Sequence, residues 1–212
     1  MKINRALLLL LLIVCSSAPA HASSPCAKSG WTGLRANDGR GYLFYVYRDA
    51  PDVYFAIPGK QVSFPDGPKS PPRFFIDEIW YQSLLVNPAE FMKGEKEIAD
   101  LDVLKRHATY EFEYMLKTPT PLRKFVELGP RVKPAANGQP SFTFYLWGAI
   151  DPGDLKGARQ FFLTTLSAGD VVVLSAIVRD QTFDDLVLEA LVTYGNSFRH
   201  ILKKENCPEK VK

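Results

Sequence analysis

Two consecutive stretches near the C-terminus constrain the fold more than anything else in the chain. The sequence predicts a strand over Arg159–Leu166, a tight turn at Ser167-Ala168-Gly169-Asp170, and a second strand over Val171–Val178. Phe161, Phe162, Leu163, Leu166, Val171, Val172, Val173, Leu174, Ile177 and Val178 leave neither strand with a polar face. Such strands sit mid-sheet and need cover on both sides. A helix is expected next, from Phe183 to Leu202. Phe183, Val187, Ala190, Leu191, Tyr194, Phe198 and Ile201 recur along it at helical spacing and give it one face to bury. Thr182 suits its N-cap, with Asp184 and Asp185 in the first turn. Arg199, His200, Lys203 and Lys204 suit the negative end of its dipole.

Upstream, the pattern is mostly of strands. Ser29–Gly41 holds four glycines around Trp31 and Asn37-Asp38 and reads as a loop. Tyr42–Arg48 and Val53–Ile57 read as a hairpin turned by Asp49-Ala50-Pro51-Asp52. The proline-rich segment Pro65–Pro72 is a loop. Arg73–Val86 reads as one long strand, interrupted by Asp77 and Glu78, with Phe74, Ile76, Trp80, Leu84 and Val86 on one face. A helix is predicted over Asp100–Leu116, with Asp100 as N-cap and Asp102 favouring the dipole. Leu101, Leu104, Ala108, Phe112 and Met115 form its apolar stripe, and His107 and Glu111 share a face. Arg123–Val132 reads as an edge strand broken at Gly129-Pro130. Asn137-Gly138 marks a turn, and Ser141–Ile150 a strong strand.

The N-terminus carries an export signature. Lys2 and Arg5 precede the apolar run Leu7–Val14, and Ala18-Pro19-Ala20-His21-Ala22 offers small residues for a cut after Ala22. The run is shorter than the ~20 residues a spanning helix needs. The expected organisation is therefore a signal peptide over 1–22 and one domain over 23–212, periplasmic or secreted, with no integral membrane segment after cleavage. A lipoprotein at Cys15 is the minor alternative, because Val14 is bulky for a lipobox. Removing Lys2 and Arg5 from the 26 basic residues leaves 24, against 23 acidic ones. So balanced a chain, without a Lys/Arg cluster, lacks the footprint of a nucleic-acid binder. Cys26 and Cys207 remain at opposite ends of the exported chain, where an oxidising compartment favours their pairing. That bond would contribute about 5 kcal/mol in the chain-entropy picture.

The search for chemistry returns little. His107 and His200 lie on different predicted helices with no Cys/His cluster, which argues against a zinc site. His107 reads as a surface residue beside Glu111, and His200 as a dipole-compensating cation. No nucleophile elbow, Walker loop or dinucleotide fingerprint occurs. Asp77 and Glu78 would point to opposite faces of a strand, and Asp184 and Asp185 already serve a helix start. No catalytic, cofactor-binding or metal-binding residue is therefore assigned. Aromatic residues are the remaining resource. Tyr45, Tyr47, Trp80 and Trp147 are the candidates for an exposed ligand-binding surface.

The Tyr54-Phe55-Ala56-Ile57-Pro58 strand ending, the run of antiparallel strands, and the closing hairpin followed by Phe183–Leu202 resemble the Mog1/PsbP-like group. The Asp100–Leu116 helix departs from that pattern. The resemblance implies an antiparallel sheet sandwiched by helices, and a binding or assembly role rather than catalysis. The expected class is α+β, a largely antiparallel sheet with helices packed on it. The leading function is an exported binding or assembly-accessory protein with no cofactor, acting on a protein partner as an adaptor or immunity-type binder. The alternative is a small periplasmic hydrolase with a dispersed catalytic site.

Export and pairing are checked together. Intact mass of the protein recovered from its own cell envelope should begin near Ser23, and no thiol should titrate before reduction. A species starting at an acylated Cys15 would contradict the cleavage site, and two free thiols would contradict the bond.

Overall fold

The structure is a computed structural model that describes residues 31–37, 40–46, 52–58, 62–63, 73–77, 79–94, 98–154 and 156–201. The expected signal peptide, Cys26 and Cys207 lie outside the described residues. The first six strands are β1 (Trp31–Asn37), β2 (Arg40–Val46), β3 (Asp52–Pro58), β4 (Val62–Ser63), β5 (Arg73–Ile76) and β6 (Ile79–Val86). A 3-10 turn at Pro88–Glu90 precedes helix α1 (Asp100–Leu116). Then come β7 (Lys124–Lys133), β8 (Phe142–Ile150), β9 (Ala158–Ser167), β10 (Asp170–Arg179), helix α2 (Asp184–Ser197) and β11 (Arg199–Ile201). The described residues give an α+β fold with two antiparallel sheets. One runs β1-β2-β3-β11, and the other runs β4-β5-β6-β10-β9-β8-β7.

The two apolar strands hold the middle of the larger sheet, as β9 and β10. Their alternate residues feed two separate cores. On one face, Phe161, Leu163, Val172 and Leu174 meet Val187, Leu191 and Tyr194 of α2 and Tyr45, Val53 and Phe55 of the smaller sheet. On the other face, Phe162, Val171 and Val173 meet Val103, Leu104, Ala108 and Met115 of α1. Strand β8 divides likewise, with Phe142, Phe144 and Leu146 on the α2 side and Tyr145, Trp147 and Ala149 on the α1 side. At the centre of the α1 side, the rings of Trp147 and Phe162 stack at 3.8 Å and 3°.

The layers on the α2 side are joined by polar contacts as well. The Tyr45 hydroxyl bonds to Ser83 of β6, which in turn donates to the Val173 carbonyl at 3.1 Å. Arg159 of β9 places its Nε 2.7 Å and 2.8 Å from the two carboxylate oxygens of Asp184 at the start of α2. The Tyr194 hydroxyl donates to that of Tyr81 at 3.3 Å. Burial, with each ring next to the other, pushes the Tyr81 phenol well above its ordinary range.

Several expectations need correction. Ser29–Gly41 is not a loop: its second part forms β1 and the start of β2, in register from Trp31↔Val46 to Asn37↔Arg40. Arg73–Val86 is not one strand but a hairpin. Asp77 takes φ 47°, a left-handed conformation that Asp tolerates better than most residues, and Ile76 pairs with Ile79. The turn inverts the facing, so Trp80, Leu84 and Val86 lie opposite Phe74 and Ile76 rather than beside them. Helix α2 stops at Ser197 instead of reaching Leu202. Gly195-Asn196-Ser197 are poor helix formers. Phe198 turns extended, at φ −59° and ψ 132°, and the chain enters β11 against β3. The N-caps differ too. Ala99, not Asp100, precedes α1, and Asp180, not Thr182, caps the short turn before α2 by accepting from Thr182 N. The edge strand β7 is not broken at Gly129-Pro130, since both residues pair with β8; its irregularity is a register shift between Glu127 and Gly129, where Gly129 at φ 86° supplies a conformation other residues resist.

Phe198 closes the α2 side. Its ring lies 4.6 Å from Phe55, 4.8 Å from Phe142 and 5.7 Å from Phe144, so one side chain touches both sheets. Phe198→Ala should lower stability by about 3–5 kcal/mol, measured by urea denaturation. A loss below about 1 kcal/mol would mean that the two sheets are held together elsewhere.

Candidate functional site

Helix α1 lies over β8 and β9, and the β5–β6 end of the same sheet face is less covered. Register alone defines what is found there. Arg73, Gln82 and Ser175 stand in one row across β5, β6 and β10. Phe75, Trp80, Ile177 and Gln160 stand in the next, ending on β9. Phe75, Trp80 and Ile177 are half-buried, and the two aromatic rings meet edge-on at 4.6 Å. Beside them on the same face is a polar strip: Gln82, Ser175 and Gln160 are all buried. Gln160 donates to Ser175 Oγ at 3.2 Å. The Gln82 amide nitrogen and the Trp80 indole nitrogen are buried without a hydrogen-bond partner. Buried donors of this kind cost stability and call for an explanation.

A second cluster lies under α1. His107 is fully buried, and among the described residues neither ring nitrogen has a hydrogen-bond partner. Its Nε2 stands 3.7 Å from Glu111 Oε1 one turn on, and Phe91 packs edge-on against the imidazole at 5.5 Å. Burial pulls the His107 pKa down to about 3. Burial, together with the charge of Glu90, pushes the Glu111 carboxyl up to about 7. His107 is therefore not the surface residue the sequence suggests. His200 is not at a helix end either. It sits in β11, its backbone N–H donating to Gln139 Oε1 at 2.7 Å and its carbonyl accepting from Gln139 Nε2 at 3.0 Å.

The four aromatic candidates part company. Tyr45 and Trp147 are core residues with no exposed surface, because each is ringed by the side chains of a packed layer. They serve the fold and offer nothing to a ligand. The side chain of Tyr47 lies outside the described residues. Among the candidates in the described residues, Trp80 keeps some exposed surface, and Phe75, which sequence reasoning passed over as a strand residue, stands beside it. Asp77 occupies a turn, and Asp184 is taken up by Arg159. Among the described residues no group of three or more His, Cys, Asp or Glu gathers to hold a metal ion, and no helix is long and apolar enough to cross a membrane.

The chain is an α+β protein whose fold resembles the Mog1/PsbP-like group. In structure it is similar to the cyanobacterial PsbP (CyanoP) from Synechocystis sp. PCC 6803, at 11% identity and TM-score 0.44, over 86% of this chain and 99% of that one. It is also similar to the Saccharomyces cerevisiae Ran-binding protein Mog1p, at 12% identity and TM-score 0.39, over 80% and 95% of the two chains. No family model matches the sequence, and no curated protein matches it.

The orphan amide of Gln82 can be weighed directly. Gln82→Leu keeps most of the volume and removes the unpartnered donor, so it should raise stability by about 1 kcal/mol in thermal unfolding. A fall in melting temperature would mean that the amide holds a partner beyond the hydrogen bonds of the described chain.

Proposed function

We propose that this protein is an exported binding or assembly-accessory factor that works without a cofactor and engages a protein partner through the Phe75–Trp80 end of its larger sheet. The observation that carries this reading is the half-buried aromatic pair beside Ile177, next to the buried polar strip of Gln82, Ser175 and Gln160 on the same sheet face. Large rings backed by polar groups make contacts that are both apolar and directional. The adaptor or immunity-type version follows from the same surface. His107 favours it over hydrolysis. A general base must reach a proton to be moved, whereas the ring nitrogens of His107 are enclosed and accept from nothing.

The test is capture from the cell envelope of origin. Immobilised protein should retain a discrete partner, and Trp80→Ala should lose it while unfolding free energy changes by no more than about 1–2 kcal/mol. Undiminished capture by the variant would remove this surface from the reading. Hydrolytic turnover that disappears in His107→Ala, with folding intact, would replace the reading altogether.

A further inference from the structure

We propose that His107 and Glu111 form a buried pair sharing one proton, which rests on the carboxyl in the folded protein and on the imidazole in the unfolded chain, so that stability is nearly indifferent to pH across the mildly acidic range. The geometry requires a neutral imidazole. Its ring is fully buried between α1 and the sheet, is faced by Phe91, and has no acceptor within hydrogen-bond distance of either nitrogen. An imidazolium there would be a buried cation with two unsatisfied donors, and the carboxylate 3.7 Å away is too far for a hydrogen bond. The carboxyl is also poorly placed for charge. Its side chain is 16% exposed and lies near Glu90 of the Pro88–Glu90 turn.

Among the described residues, the Glu111 carboxyl answers to burial and to the negative charge of Glu90 rather than to a cation. On the helix, Tyr110 is held neutral above its ordinary range by burial and by Glu90, Glu111 and Tyr114. On β8, the Tyr145 hydroxyl is committed to Glu127 of β7 at 3.0 Å. The residues that β9 turns to this face are Ala158, Gln160, Phe162, Thr164 and Leu166, and none ionises. On β10 and β6, Val173, Ser175, Gln82 and Leu84 of this face do not ionise; the cations that share the face by alternation are Arg179 at the end of β10 and Arg73 on β5, and neither bears on the titration of His107 or Glu111.

The linkage signs then oppose one another. His107 ordinarily titrates at 6.5 and in the fold at about 3, so its contribution is present above 6.5 and is lost as pH falls. Glu111 ordinarily titrates at 4.5 and in the fold at about 7, so its contribution is present below 4.5 and is lost as pH rises. Between 4.5 and 6.5 both states of the pair hold one proton, and the two slopes cancel. Burial is the leading cause of both shifts, with Glu90 adding to that of the glutamate. Because burial belongs to the site rather than to either partner, each shift is expected to survive removal of the other group.

Urea unfolding of the whole protein from pH 4.5 to 6.5 tests this, with each variant compared with the parent so that all other titrations drop out. Relative to the parent, the unfolding constant of Glu111→Gln should rise about tenfold per unit as pH falls, the effect of one proton. That of His107→Gln should rise about tenfold per unit as pH rises, and the double variant should run parallel to the parent. Single variants parallel to the parent, or slopes of the same sign, would overturn the proposal. Nuclear magnetic resonance on the unmutated protein decides the matter if a variant fails to fold. A neutral His107 imidazole and a protonated Glu111 carboxyl at pH midway through the window are expected, and an imidazolium paired with a carboxylate would overturn it.

Discussion

The fold depends on burying both faces of β9 and β10. A strand that is apolar on alternate sides satisfies one face with one layer and still exposes the other. This chain supplies the two covers from different directions. Helix α1 arrives from the N-terminal side and packs on β8 and β9, while α2 follows β10 directly and folds back on β9 and β10. Helix α2 is too short to cover its face alone, so Tyr45, Val53 and Phe55 of the smaller sheet complete it. The segment β10–α2–β11 thus does two things in sequence. It covers the larger sheet, and then it anchors the smaller one by pairing with β3.

Much of this is legible in the residues because burial on two faces leaves a strong pattern. The central hairpin, α1, the edge strand and the two-faced β8 all follow from period-2 or period-3.6 spacing. The failures share a different cause. At Asp77 the apolar alternation continues through a turn, and nothing in the pattern marks the change of facing that the positive φ produces. At Phe198 the spacing of the helix stripe continues past its end, because a core residue is needed in the same direction whether the backbone is helical or extended. Gly195-Asn196-Ser197 is the signal that could have ended the helix. In β1 and β2 the glycines suggest a loop, yet pairing depends on backbone hydrogen bonds that glycine makes as well as any residue.

The candidate site was less legible for a reason of geometry. Gln82, Gln160 and Ser175 are far apart in sequence and meet only through strand register, which no single stretch encodes. Aromatic identity did not reveal depth either, since Trp80 and Trp147 occupy equivalent strand positions but only one lies under α1. His107 is the exception. It falls three residues after Leu104 and one before Ala108, inside the apolar stripe, so its burial was available from helical spacing once the glutamate beside it was not taken as a sign of solvent.

The two sides of the larger sheet also differ in how their polar groups are satisfied. On the α2 side, Ser83, Arg159, Tyr194 and Ser197 have partners that tie one layer to the next. Among the described residues Ser167, at the very end of β9, is the orphan of that side. On the α1 side, Trp80, Gln82, Trp147 and both nitrogens of His107 are buried without partners. Directional bonds fix a unique packing, whereas apolar burial tolerates small shifts. The α2 side is therefore the rigid frame, and the α1 side is held mainly by non-directional contact. A surface that must adjust to another molecule is better built on the second kind of layer, because displacing it breaks few hydrogen bonds and offers the orphan donors a chance to be met. The aromatic pair at the β5–β6 end and the proton-sharing pair beneath α1 both lie on that side.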